Sequence, residues 1–229
     1  MNKKLCFFTA FMIIFCALVL QLVNSNVVQP AAVCGAFADS RRVYLTFDDG
    51  PSDRVTPKIL DILEDEGVAA TFFIVGRSAE RRENIVRRAF AEGHSIGVHS
   101  YSHEYGSIYS SPRALLDDIQ KCNELIYNIT GKLSHIYRFP GGSFKIDRQL
   151  VSAVTAAGYR YIDWNASCRD AEIWSPSPEQ LLNAVKSTSA DKNTIVLLCH
   201  DSTDKTATAL ALKDIICYYR HSGYEFCTF

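Results

Sequence analysis

The most informative segment of the chain is Thr46-Phe47-Asp48-Asp49-Gly50. It closes a run, residues 42–47, whose β-branched and aromatic side chains predict a buried β-strand. Gly50 and Pro51 follow and break this strand. Two adjacent carboxylates therefore lie at the end of a rigid strand, where their mutual repulsion favours a bound cation. Asp-Gly and Gly-Pro are also common turn dipeptides, so the segment alone is equally consistent with a plain turn.

Short apolar runs alternate with amphipathic stretches along the rest of the chain. The pattern predicts seven strands and six helices. Such alternation is typical of a parallel sheet with right-handed crossovers, either closed into a barrel or open and doubly wound. The predicted strands are residues 42–47, 69–75, 95–99, 134–139, 159–164, 194–198 and 224–229. The predicted helices are residues 56–66, 80–92, 112–130, 146–157, 178–187 and 207–220.

Both architectures gather catalytic residues at the carboxyl ends of the strands. Two histidines, His99 and His103, lie four residues apart after the third predicted strand. If the chain turns helically there, both imidazoles fall on one face and can bind the same ion. With Asp49 they form a ligand set that suits zinc or a similar divalent ion and leaves positions open for water and substrate. Ionisable residues also lie at the ends of other predicted strands, namely Arg138, residues within 164–170, and His200 with Asp201.

The composition is that of a globular protein with room for a substantial core. The chain has 229 residues, of which 48% are hydrophobic and 21% charged, enough for one large domain. The net charge of −1 gives no electrostatic basis for binding nucleic acid. We therefore exclude nucleic acid as a partner.

The first 23 residues form a separate segment. Lys3 and Lys4 precede an apolar run, residues 5–23, that is interrupted near its end by Gln21 and is just long enough to cross a bilayer. It predicts an apolar helix that is a retained membrane anchor or a cleaved signal peptide, with a buried core helix as the remaining alternative. Residues 24–38 predict a linker. The folded domain would then comprise residues 39–229. Both membrane interpretations place that domain outside the cytoplasm, either anchored to the membrane or secreted.

Six of the eight cysteines lie outside the apolar run. An even number of cysteines in an exported chain permits disulfides. Six cysteines allow many connectivities, so the sequence assigns none, and Cys217 with Cys227 is the first pair to test.

Four motifs together resemble the signature of the polysaccharide deacetylases with a NodB homology domain, a family of metal-dependent carbohydrate esterases. They are residues 46–50, His99-Ser100-x-x-His103, Arg138-Phe139-Pro140-Gly141-Gly142 and Leu198-Cys199-His200. The resemblance covers residues 41–229 and implies a distorted (β/α) barrel of about seven parallel strands. It also implies one divalent metal ion, zinc or else cobalt or manganese. We expect a monomer.

The same resemblance implies roles for the motif residues. Asp49, His99 and His103 would be the metal ligands. Asp48 would be the general base that takes a proton from the attacking water. Arg138 would orient that base through a charge-assisted hydrogen bond.

The last two motifs supply the residues around the leaving group. His200 would be the general acid that protonates the leaving amine, and Leu198 would lie beside the acetyl methyl on the same strand face. Gly141 stands where the family more often has tyrosine, but its backbone N–H would still help to hold the oxyanion.

The fifth strand end can be aligned with the family motif in which an aspartate tunes the acid histidine. This makes Asp170 the tuning residue, with Asp163 and Asp201 as rivals. Ala171 stands where a tryptophan is usual, and Trp174 could substitute for it in binding substrate. Other aromatic residues near these loops that could stack on sugars are Tyr101, Tyr105 and Tyr109.

These features predict a metal-dependent de-N-acetylase that acts on N-acetylated amino sugars of a cell-wall polysaccharide. The form of residues 138–143 most resembles the peptidoglycan N-acetylglucosamine deacetylases. Chitin or chito-oligosaccharide deacetylation and acetyl xylan esterase activity remain open, because fold and metal chemistry do not choose the sugar. Two further alternatives are a non-catalytic, glycan-binding family member and a hydrolase of small cyclic amides.

Overall fold

A parallel β-sheet of eight strands forms the centre of the fold, which the computed structural model describes for residues 40–229. The strands are β1 (Arg41–Asp48), β2 (Thr71–Val75), β3 (Ser95–Ser100), β4 (Ile136–Tyr137), β5 (Arg160–Tyr161), β6 (Ala166–Ser167), β7 (Thr194–His200) and β8 (Tyr224–Cys227). The helices are α1 (Thr56–Glu66), α2 (Gly76–Ala79), α3 (Glu83–Ala91), α4 (Tyr105–Ile108), α5 (Pro112–Thr130), α6 (Arg148–Ala156), α7 (Pro178–Ser189) and α8 (Thr206–His221), with a 3₁₀ turn at Ser143–Lys145.

The strand that carries the two carboxylates lies in the middle of the sheet. The strand order is β5-β4-β3-β2-β1-β7-β6, and β8 also pairs with β1. On one edge of β1, β7 pairs with it from Arg42 to Asp48. On the other edge, β8 pairs with the first half of β1 and β2 with the second half. The sheet curls into an open barrel, which confirms the predicted distorted (β/α) barrel of parallel strands.

Two predicted strands are shorter than the sequence suggests, and one strand was not predicted. The fourth and fifth strands, expected at residues 134–139 and 159–164, contain only the two residues each of β4 and β5. The parallel ladder bonds extend only one residue past each strand, from the Arg138 N–H to the Val98 carbonyl and from the Ile162 N–H to the Tyr137 carbonyl. The additional strand β6 lies next to β7 because the Asn165 side chain bonds to its backbone, donating to the Thr194 carbonyl and accepting from the Val196 N–H.

The long helix α5 shows how the sequence sets the helix ends. The Ser111 hydroxyl accepts from the Ala114 N–H, and Pro112 occupies the first turn. The helix ends at Gly131, whose φ of 74° lies in the left-handed region that favours glycine. Its buried face, spaced three or four residues apart, packs α5 against the sheet. The apolar residues of this face are Leu115, Ile119, Cys122, Ile126 and Ile129.

The cysteine pair named first from the sequence, Cys217 with Cys227, is not formed. Cys217 is a free, exposed thiol whose Sγ lies 3.3 Å from His221 Nδ1, so it does not pair with Cys227. The reason is orientation, because Cys217 faces solvent from α8, whereas Cys227 is buried at the end of β8. Cys122, Cys168 and Cys199 are buried free thiols.

The predictions for residues 1–23 and 24–38, including the N-terminal apolar helix, lie outside the described residues. Within residues 40–229, no helix has the length and apolar character needed to span a bilayer.

Candidate active site

The carboxyl end of β1 supplies two neighbouring carboxylates. Asp48 is the last residue of the strand and is buried. Asp49 follows with a φ of 74°, a left-handed conformation that aspartate adopts more readily than most residues. Gly50 is required next, because a Cβ there would lie 2.1 Å from the Asp201 carboxylate. The chain can therefore make this turn only with glycine at position 50.

Asp49, His99 and His103 converge on one point. Asp49 Oδ1 lies 3.3 Å from His99 Nε2 and 3.2 Å from His103 Nε2. All three ligand atoms lie within 4.8 Å of one another. A tetrahedral zinc ion with bonds of about 2.0–2.2 Å requires ligand atoms about 3.3–3.6 Å apart. The two distances, 3.3 and 3.2 Å, lie within about 0.1 Å of the short end of that spacing, so the three residues fit a divalent ion.

The orientation of His99 also favours a cation. Its Nδ1–H donates to the Arg138 carbonyl at 2.9 Å, which directs the other ring nitrogen, Nε2, toward the Asp49 carboxylate. A lone pair and a carboxylate at this distance repel each other unless a proton or a metal ion lies between them. The backbone carbonyl therefore prepares His99 to act as a ligand.

His103 reaches the cluster through a loop, and not through the helical turn that would have placed both histidines on one face. The φ of His103 is 58°, and its N–H donates to Ser100 Oγ at 2.8 Å. Ser100 in turn donates to the Asp118 carboxylate, which also accepts from the N–H groups of Tyr101 and Ser102 at 2.8 and 3.0 Å. Asp118 on α5 therefore fixes the shape of the loop. Its role was not predicted from the sequence.

The charges in this cluster are complementary. Burial raises the pKa of Asp49, but hydrogen bonding to His103 and His99 outweighs it and holds the pKa well below its usual value. The Asp49 carboxylate in turn raises the pKa of His103. A metal ion would displace the imidazole protons, because it binds neutral imidazole and ionised carboxylate.

Arg138 lies behind the cluster and fixes Asp48. The guanidinium is completely buried, and its Nη1 donates to Asp48 Oδ1 at 2.8 Å and to Thr46 Oγ1 at 2.6 Å. Its Nε donates to the Ile162 carbonyl at 2.9 Å. These bonds leave Asp48 Oδ2, 4.0 Å from His99 Nε2, free to accept a proton beside the cluster.

His200 and Asp170 form a second pair on the neighbouring strand. His200 Nδ1 donates to Asp170 Oδ1 at 2.7 Å, and the His200 backbone N–H donates to Asp170 Oδ2 at 2.8 Å. Thr208 Oγ1 also donates to Asp170 Oδ2. Burial lowers the pKa of His200, but Asp170, with Asp48 and Asp49, raises it to about 9. The imidazole is therefore protonated at neutral pH.

The two other carboxylates considered for this role, Asp163 and Asp201, accept hydrogen bonds from other groups. Asp163 accepts from the backbone N–H and the hydroxyl of Ser143. Asp201 is buried and accepts from Thr56 Oγ1 at 2.6 Å, and burial raises its pKa to about 7. Within residues 40–229, neither side chain bonds to the His200 imidazole, so the structure brings Asp170 to His200.

We expect the Asp170→Asn substitution to move the alkaline limb of the kcat/KM profile to lower pH. The Asp170 carboxylate stabilises the protonated imidazole, so its neutral amide should lower the pKa of His200 by about one to three units. A group that must be protonated then loses its proton earlier as pH rises. The pH–rate profiles of the two proteins test this, and an alkaline limb that stays in place would contradict the assignment of His200 and Asp170.

The three remaining sequence candidates lie in the loop after β4, on β7 and beside a cleft near Asp170. Gly141 has a φ of 79°, and its N–H donates to no protein group within residues 40–229. Leu198 is two residues before His200 on the same face of β7 and is 8% exposed. Trp174 is 96% exposed and borders a cleft of about 450 Å³ that Asp170 also lines.

Comparisons with known proteins show the family to which the chain belongs. The profile of the polysaccharide deacetylase family matches residues 37–162. A peptidoglycan-N-acetylglucosamine deacetylase of Bacillus cereus is 33% identical over 187 residues, which cover 81% of the chain and 85% of that protein. A chitooligosaccharide deacetylase of Rhizobium leguminosarum bv. trifolii is 36% identical over 169 residues, which cover 72% of the chain and 74% of that protein.

A solved structure shows the same similarity. The catalytic domain of the peptidoglycan N-acetylglucosamine deacetylase from Eubacterium rectale is 35% identical, with a TM-score of 0.78, and the match covers 89% of the chain and 93% of that domain. Some curated relatives are longer, and the chain spans 38% of their length.

Proposed function

The chain belongs to the polysaccharide deacetylase family, and from this premise we propose that it removes acetyl groups from N-acetylated amino sugars of peptidoglycan, outside the cytoplasm. The family assignment makes it a hydrolase of carbon–nitrogen bonds. The observation that carries the proposal is the convergence of Asp49, His99 and His103 beside two further pairs, Arg138 with Asp48 and Asp170 with His200.

We propose that Asp49, His99 and His103 hold one divalent ion, with zinc favoured over cobalt or manganese. Two imidazoles and one carboxylate are a ligand set typical of catalytic zinc. When bound, the ion polarises the acetyl carbonyl and lowers the pKa of the attacking water. Asp118 and the Arg138 carbonyl support the ligands, as groups behind a metal site commonly do.

Asp48 is the general base of this proposal. Arg138 holds Asp48 Oδ1, so the proton of the attacking water passes to Oδ2, which faces the cluster. The Gly141 N–H has no other acceptor within the described chain and can donate to the oxyanion that develops on the acetyl oxygen.

His200 completes the reaction as the general acid. It is the register partner of Asp48 in the neighbouring strand, so base and acid lie on adjacent strand ends. Its Nδ1–H bonds to Asp170, which leaves Nε2–H to protonate the leaving amine nitrogen. The products are acetate and a free amino sugar.

The choice of substrate rests on the similarity to named peptidoglycan deacetylases and on the apolar run at residues 5–23, which would place the domain at the cell wall. The similarity to a chitooligosaccharide deacetylase makes chito-oligosaccharides the second candidate substrate. Both polymers carry the same acetamido group, so the chemistry at the cluster would be identical.

An acetate-release assay tests the proposal. We expect the purified protein to release acetate from peptidoglycan, and to do so faster than from chito-oligosaccharide or acetyl xylan. Release from acetyl xylan alone would exclude the amide substrate. No release from any of the three, with metal bound, would favour a non-catalytic glycan-binding role.

A further inference from the structure

An exposed aromatic ring lies against one of the candidate metal ligands. Tyr105, the first residue of α4, packs edge to face with His103, with ring centroids 5.4 Å apart and an interplanar angle of 87°. The residue is 48% exposed. Its hydroxyl bonds to no protein group in the part of the chain that the structure describes. Tyr105 therefore offers an accessible aromatic surface one ring away from the cluster.

The neighbouring structure holds this ring in place. Tyr109 packs edge to face against Tyr105, with centroids 5.9 Å apart. The Tyr109 hydroxyl donates to the Pro140 carbonyl at 2.8 Å, which ties α4 to the loop that contains Gly141. Glu104, the residue before Tyr105, forms an ion pair with Arg77. The ring is thus positioned before any ligand arrives.

The missing side chain at position 141 leaves space for Tyr105. A Cβ on Gly141 would lie 3.2 Å from Tyr105 Cε1 and 3.3 Å from its hydroxyl oxygen, closer than ordinary van der Waals contact. The φ of 79° at Gly141 would also strain any other residue. Position 141 and Tyr105 are therefore neighbours, and Tyr105 in turn contacts His103.

The other tyrosines on these loops are occupied. Lys121 Nζ lies 3.7 Å from the ring centroid of Tyr101, whose hydroxyl donates to Glu80. Tyr109 uses its hydroxyl on Pro140 and is partly buried against the core. Among the tyrosines that surround the cluster in residues 40–229, Tyr105 keeps both its hydroxyl and a large ring surface available.

We propose that Tyr105 is a substrate-binding residue that stacks on the pyranose ring carrying the acetamido group, with Gly141 leaving the room that it needs. This rests on the proposed function, because it places the sugar of an N-acetylated polymer at the cluster. The acetamido nitrogen is bonded directly to the pyranose ring, so that ring must lie within a few ångströms of the reacting carbon. A ring in contact with His103 is at the right distance to meet it.

The test measures KM and kcat of each variant for acetate release from N-acetylated chitotetraose. We expect Tyr105→Ala and Tyr105→Leu to raise KM about tenfold, the effect of one lost aromatic contact, with little change in kcat. Tyr105→Phe keeps the ring and should retain the wild-type KM. Tyr127, on the distant end of α5 and 51% exposed, provides the matched control, and Tyr127→Ala should leave both constants unchanged.

Two controls separate substrate binding from damage to the site. Turnover of 4-nitrophenyl acetate, which has no sugar ring, should be the same in the wild type and in all Tyr105 variants. Each variant should also bind as much zinc as the wild type.

The outcomes distinguish this inference from the proposed function. If the wild-type protein releases acetate and Tyr105→Ala or Tyr105→Leu leaves KM unchanged, the inference is wrong while the proposed function stands. A KM in Tyr105→Phe as high as in Tyr105→Ala would assign the effect to the hydroxyl and would also overturn ring stacking. Absence of acetate release from the wild type would instead count against the proposed function.

Gly141→Ala tests the link between the two positions. It should raise KM more in the wild-type background, where the new Cβ also meets the tyrosine ring, than in the Tyr105→Ala background, where only the backbone strain at position 141 remains. Equal increases in both backgrounds would show that the two positions act independently. Gly131→Ala, with a φ of 74° and open space around it, controls for backbone strain alone.

Discussion

Asp48→Asn should lower kcat for acetate release by about 10²- to 10⁴-fold, the contribution typical of a general base. The amide is close in shape to the carboxylate, and its oxygen can still accept from Arg138, but it cannot take a proton from water. Binding of metal and of glycan should survive, because Asp49, His99 and His103 are unchanged. Single-turnover acetate release and the zinc content of the variant are the measurements.

The control for this substitution is Asp53→Asn, which removes an exposed carboxylate that pairs with Arg82 on the surface. It should leave kcat unchanged. Full turnover by Asp48→Asn would show that another group is the base. Loss of metal from the variant would show that Asp48 is itself a ligand.

Removal of the metal should abolish acetate release. Dialysis against a chelator should reduce activity to background, and zinc should restore it in the wild type. His103→Ala should not recover at the same zinc concentration, because the two remaining ligand atoms, on Asp49 and His99, leave a catalytic zinc ion one protein ligand short. Titration of zinc against acetate release measures this.

His221 offers a matched control for the histidine substitution. It is exposed at the end of α8, where its contacts are with Cys217. His221→Ala should respond to chelator and zinc as the wild type does. Undiminished activity after chelation, with no metal left in the protein, would contradict a metal-dependent reaction.

The sequence predicted the convergence of distant residues because parallel strands end at one edge of a sheet. Asp49 follows β1 and His99 lies in β3, fifty positions later, yet their ligand atoms are 3.3 Å apart. The alternation of strands and helices was enough to place both at that edge. A resemblance to a known family then suggested what the residues do there.

The loop that carries His103 was beyond sequence reasoning. No helical turn connects His99 with His103, and the loop is shaped by the Asp118 carboxylate, which lies 15 or more positions further along the chain on α5. No local pattern links a helix carboxylate to the backbone of a preceding loop. A left-handed backbone conformation, such as that of His103, also cannot be recognised from the sequence unless the residue is glycine.

For a similar reason, the sequence did not determine which aspartate is the partner of His200. Asp163, Asp170 and Asp201 all lie near a predicted strand end, and their order along the chain does not choose among them. The choice is made by the pairing of β6 with β7, where the Cys168 N–H donates to the Leu198 carbonyl and brings Asp170 beside His200. Strand register of this kind depends on tertiary packing.

The most direct test of the metal centre is anomalous X-ray scattering from crystals grown with zinc, recorded at the zinc absorption edge. We expect one strong peak per chain, about 2.0–2.2 Å from Asp49 Oδ1 and from the Nε2 atoms of His99 and His103. A peak at other residues, or no peak at this cluster in crystals of active protein, would contradict the proposed metal centre.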